Sequence, residues 1–167
     1  MADYLNPTVI QQTIPQTDIS PLELLLLQNI FTVERCGDDL YFFAEGGPST
    51  LLTIDRGKLE AAIAASKSMP NSFAEEIGAQ QLSEAPPDEV DIEIDMSATS
   101  WEPVFQDIVR RSATLTYITA VSSFTCTKMR SNGFGGMAIV ITRDTVFGKS
   151  TNDIIEDFLA DAGIDQD

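Results

Sequence analysis

Two pairs of β-branched and aromatic runs, each pair split by a glycine-bearing turn, constrain this chain most. FTVERC and LYFFAE flank Gly37-Asp38-Asp39, and LTYITAVSSFTCT and GMAIVITRD flank KMRSNGFG. Strands joined by so short a link must pair antiparallel, because a parallel pair needs a crossover of about a dozen residues or more. The sequence therefore predicts hairpins over about 31–44 and 115–143 and an α+β fold, with a largely antiparallel sheet and helices packed on one face.

Helix signals fall between and around these runs. Ser20-Pro21-Leu22-Glu23 carries a capping serine, proline at the first helical position and glutamate at the third, so a helix is expected over about 21–29 and, being apolar nearly all round, buried on more than one side. A short strand at STLLTI leads to Asp55 as the cap of RGKLEAAIAASKS, which Pro70 stops. SFAEEIGAQQL can form a further short helix, and Ala85-Pro86-Pro87-Asp88 reads as a rigid connector. Val90, Ile92, Ile94 and Met96 alternate with Asp91, Glu93 and Asp95, the period of a strand with one wet face. Ser100 is expected to cap WEPVFQDIVRRS, whose Trp101, Phe105, Ile108 and Val109 form an apolar stripe. A last helix runs from about Thr151 to Ala162 and ends at Gly163.

Residues 1–18, polar and interrupted by Pro7 and Pro15, read as a flexible N-terminal arm. Residues 19–163 are expected to form a single domain, with a two-lobed split near 84–89 as the alternative, and 164–167 an acidic tail. No apolar run approaches the ~20 residues that span a bilayer, and the N-terminus lacks a basic and then apolar leader pattern. Two cysteines are too few for a disulfide framework, so a cytoplasmic setting is expected.

Composition narrows the chemistry. The chain has no histidine, which removes Ser-His-Asp and Cys-His nucleophilic systems and histidine-ligated zinc. Twenty-six acids against 10 bases give a net charge of −16, which disfavours direct contact with nucleic acid or an anionic membrane. VFGKST, residues 146–151, ends like a phosphate-binding loop, but the position five before Gly148 is Arg143 rather than glycine. The stretch reads instead as Ser150 capping the last helix with Asp153 at its third position, and Gly148 easing the turn from strand to helix.

Charge is segregated along the chain. Between Arg110 and Lys149 lie six bases and one acid, whereas residues 75–95 hold eight acids and no base. The glycine-rich hairpin loop 127–136 falls inside the basic stretch. Its Lys128, Arg130, Asn132, Gly133 and Phe134, with Arg143 and Lys149 gathered at one end of the sheet, form the contact site the sequence points to, suited to an anion, an acidic peptide or a partner chain. Asp91, Glu93 and Asp95 could hold a hard cation, although a solvated strand gives the same pattern. Cys126 beside Lys128 could be an activated thiol, although a core cysteine is the plainer explanation.

No catalytic set and no cofactor is expected. The function this supports is a non-catalytic protein-interaction or regulatory role with a protein partner, and edge strands or the helix at 21–29 could support a homodimer. The alternatives are an acidic mimic of nucleic acid that inhibits a DNA- or RNA-binding protein, and a metal-dependent enzyme handling phosphate.

Overall fold

A computed structural model describes residues 1–69 and 72–164, so Pro70 and residues 165–167 of the expected tail lie outside the described residues. The fold is α+β: among the described residues, five α-helices accompany an eight-stranded antiparallel sheet and a separate two-stranded one.

Both hairpins form as the sequence predicts. Strands β4 (Thr32–Cys36) and β5 (Asp39–Ala44) pair around a turn in which Gly37 takes a φ of +67°, a value that favours glycine. Strands β8 (Tyr117–Cys126) and β9 (Gly135–Thr142) pair over eight registered positions, from Tyr117 opposite Thr142 to Phe124 opposite Gly135.

The first residues depart from expectation. In place of a flexible arm, they contribute β1 (Tyr4–Leu5), β2 (Thr8–Ile10) and β3 (Ile14–Pro15). Strand β2 lies between the hairpins, pairing with β8 through Thr8, Val9 and Ile10 and with β5 through Thr8 and Val9. Ile10 and Ile14 are fully buried. The segment is polar by composition, yet its few apolar residues fall where two hairpin edges would otherwise be open.

A tenth strand is likewise absent from the sequence expectation. Val146–Ser150 forms β10 and pairs with β9, so Gly148 sits inside a strand rather than at a strand-to-helix turn. A Cβ at Gly148 would come within 2.9 Å of Met137 Cε, the flexible end of that side chain. The sheet order is β10-β9-β8-β2-β5-β3, and β10 forms one edge.

Helix α1 (Pro21–Ile30) starts with the expected capping box: Ser20 Oγ accepts from Glu23 N at 3.2 Å, and Ser20 N donates to Glu23 Oε2 at 2.9 Å. The Glu23 carboxylate is also fully buried and ion-paired with Arg111 at the end of α4 (Glu102–Arg111). Asp55 caps α2 (Arg56–Ala65) as predicted, accepting from Lys58 N at 2.8 Å. Ser72 caps α3 (Phe73–Glu84). Helix α4 differs, because Trp101 rather than Ser100 stands at its cap and no side chain bonds there. Strands β6 (Leu51–Asp55) and β7 (Asp91–Asp95) make the small sheet, each alternating wet and buried residues.

One continuous core joins these parts. It includes Ile10, Leu22, Phe42, Leu59, Ile92, Phe105 and Ile141, drawn from both sheets and from helices α1, α2 and α4. Edge-to-face contacts among Phe31, Phe42, Trp101 and Phe105, with centroids 5.3–6.5 Å apart, fix its centre. Among the described residues no helix is long and apolar enough to cross a membrane.

Candidate functional site

The loop between β8 and β9 is tied to the N-terminus. Thr127 N donates to Asp3 O at 3.0 Å, and Asp3 N returns a bond to Thr127 Oγ1 at 3.0 Å. Arg130 reaches the Tyr4 hydroxyl at 3.3 Å, while Lys128 is exposed. Gly133 is buried, and a Cβ there would stand 2.8 Å from Cys126 Cβ. The glycine is thus required by close approach; its φ is not positive, as a primed hairpin turn at Asn132-Gly133 would demand. Cys126 is buried, and the group that approaches its sulfur is the Lys128 backbone N–H at 3.5 Å.

Beside the loop, β10 turns into helix α5 (Thr151–Asp161). Ser150 caps it as predicted: Asp153 N donates to Ser150 Oγ at 3.1 Å, and Ser150 N donates to Asp153 Oδ2 at 2.7 Å. The bond from Ser150 N and a second from the Ser150 hydroxyl to Oδ2 at 2.7 Å hold the Asp153 carboxyl below its ordinary 3.8. Lys149 pairs with Asp157 one turn further along, and that hydrogen bond and charge raise the ammonium above its ordinary 10.5. Asn132, Gly133, Phe134, Ser150 and Thr151 line one shallow cleft of about 190 Å³, which places the loop tip against the start of α5.

Of the seven predicted contact residues, Asn132, Gly133 and Phe134 line this cleft, Arg130 bonds Tyr4 of its lining, Lys149 precedes Ser150 of its lining, and Lys128 stays exposed in the loop. Arg143 lies apart. It follows the far end of β9, which at about 3.3 Å per residue lies roughly 25 Å from the loop. There Arg143 and Arg110 each donate from the guanidinium to the other's backbone oxygen, at 2.9 and 2.8 Å. Four bases at one end of the sheet, as the sequence suggested, are not assembled.

Asp91, Glu93 and Asp95 project from the wet face of β7. Asp95 Oδ1 accepts from Ser97 N at 2.8 Å, and bonds from Ser97 hold its carboxyl below the ordinary 3.8. Among the described residues no group of three Cys, Asp or Glu side chains is placed to hold a metal.

Sequence reasoning passed over the most unusual surface, the apolar side of α5. No residue of this helix is buried; Ile155 is 53% and Phe158 66% exposed. Ile154, Ile155, Phe158 and Leu159 form one stripe, and Asp153, Glu156, Asp157 and Asp161 the opposite one. The helix meets the sheet through Thr151, whose Oγ1 accepts from Gly136 N at 3.2 Å, and through the exposed Lys149–Asp157 pair, and its single half-buried residue is Leu159. Phe147 on β10 adds another aromatic ring, 59% exposed. The signal was present in the spacing of 154, 155, 158 and 159, but spacing alone does not say which face a helix turns inward.

No protein-family model matches this chain, and neither does any curated protein or solved structure.

Proposed function

We propose that the protein is a non-catalytic interaction or regulatory protein whose contact surface is the basic loop 127–136 together with β10 and α5. The observation that carries this is the exposure of the apolar side of α5: Ile155 and Phe158 face solvent, and no residue of the helix is buried. A surface helix of a self-sufficient domain does the reverse. Edge strand β10 adds unpaired backbone groups along the same side.

The matching partner is a protein with an apolar centre, bases opposite Asp153–Asp161 and acids opposite Lys128 and Arg130. A cytoplasmic setting is in keeping with two free cysteines, Cys36 exposed and Cys126 buried. A second copy of the chain is one such partner. No specific observation favours a nucleic-acid mimic or a phosphate-handling enzyme.

The test compares affinity capture from the native host with three baits: wild type, Phe158→Asp, and a Lys128→Ala, Arg130→Ala double variant. A protein recovered by wild type and lost with Phe158→Asp is expected, with weaker recovery by the loop variant. Equal recovery by all three baits would refute the assignment. Light scattering of the purified chain reports whether that partner is a second copy.

A further inference from the structure

The large sheet has two unlike faces. Phe42, Ile118, Ala120, Ile139 and Ile141 point to one side and are buried in the core, where Phe105 of α4 meets the Phe42 ring at 5.5 Å. Their neighbours along each strand point the other way. Ala138 stands opposite Val121, Val121 opposite Val9 and Val9 opposite Phe43, so one apolar row crosses β9, β8, β2 and β5 on the outer side. Phe147, Val140 and Thr119 make the next row, and Tyr41 stacks on Phe43 with centroids 5.3 Å apart. None of these outward side chains belongs to the core, and Val121 is 39% exposed.

This outer face also lacks charge. No outward residue of β8, β9 or β2 is acidic or basic. Strand β7 of the small sheet shows what the same chain places on a strand that faces water: Asp91, Glu93 and Asp95. In a chain with 26 acids, a sheet face that is apolar and free of them has the pattern of a surface that another layer covers.

Charge selects the occupant. A net charge of −16 repels an anionic membrane or a nucleic acid, and a basic protein finds no acid on β8, β9 or β2 to pair with. Two copies of the chain repel each other wherever acids meet acids, and least through a face that has none. We propose that two copies stack their large sheets outer face to outer face about a two-fold axis, with Val9, Val121, Ala138 and Val140 at the centre. The same patch is used on both copies, so the assembly closes at a dimer. From β10 to β4 the sheet is six strands wide. At ~4.8 Å per strand and ~3.3 Å per residue over about five residues, the contact covers roughly 500 Å² per copy and roughly 1,000 Å² in all, the lower bound for a specific interface and that of a reversible dimer. The proposal does not rest on the partner surface on α5.

Sedimentation equilibrium of the full chain, up to about 0.2 mM, measures the association. A dimer with a micromolar dissociation constant is expected. It should tighten as salt rises from about 0.05 to about 0.5 M, because screening relieves the repulsion between two acidic chains, whereas an interface of ion pairs would loosen. Val121→Asp should weaken it at least about tenfold, and so should Ala138→Asp, a second exposed position that keeps the test decisive if the first variant does not fold. Leu51→Asp, an exposed apolar position on the small sheet, should leave the association unchanged. A monomer at every concentration and salt, a dimer that loosens with salt, or one untouched by both outward variants would overturn the proposal. Loss of the dimer with Phe158→Asp alone would overturn it too, by assigning self-association to α5.

Discussion

Two glycines illustrate how the atom a new Cβ would meet decides the outcome of a substitution. At Gly133 it is Cys126 Cβ at 2.8 Å, held by a strand, whereas at Gly148 it is the tip of Met137 at 2.9 Å, which can swing aside. Gly133→Ala is therefore expected to cost about 1–3 kcal/mol and Gly148→Ala less than about 1 kcal/mol, measured by urea unfolding. Equal losses would contradict this. Glu23 was legible as a capping residue but not as one half of a buried ion pair, because its partner Arg111 lies 88 positions away. Glu23→Leu would leave the Arg111 guanidinium without its carboxylate, at a cost of about 2–4 kcal/mol. An unchanged unfolding midpoint would contradict the buried pair.

At the scale of elements, the features legible in the sequence are those whose cause is local. The capping boxes at Ser20 and Ser150, the Asp55 cap and both hairpins depend on residues a few positions apart, and each formed. Strands β2 and β10 were illegible because TVI is too short to show a period and VFGKS does not alternate, and what makes them strands is the distant edges they join. The Arg143 placement failed for the same reason: without β10 the length of β9 could not separate it from Lys149. Since β2 is bonded on both sides, Val9→Pro should cost about 3 kcal/mol or more and broaden the unfolding transition seen by circular dichroism. Retention of the wild-type transition would show that β2 is no stitch.

Helix α5 has its own pH signature. Asp153 titrates below its unfolded value, so its contribution is present above about pH 4 and is lost as pH falls through the folded value. Lys149 titrates above its unfolded value, so its contribution is full below pH 10.5 and is lost as pH rises through the folded value. Amide protection at the start of α5 should accordingly be flat between about pH 5 and 10 and fall on either side. A fall centred near pH 7 would point to other groups.

Across the whole molecule, the core unites helices α1 to α4 with both sheets, and α5 contributes no residue to it, meeting the sheet through Thr151 and the exposed Lys149–Asp157 pair. The acidic composition that the sequence displays so plainly says little about this arrangement; the location of Ile155 and Phe158 says more. The most direct measurement is photo-cross-linking in the native host, with a photoreactive residue at Phe158, at Lys128, or at Glu60 on α2 as a control. A discrete adduct from positions 158 and 128, absent from 60, is the predicted result. Adducts of equal intensity from all three positions, or none from 158, would contradict a contact surface on α5.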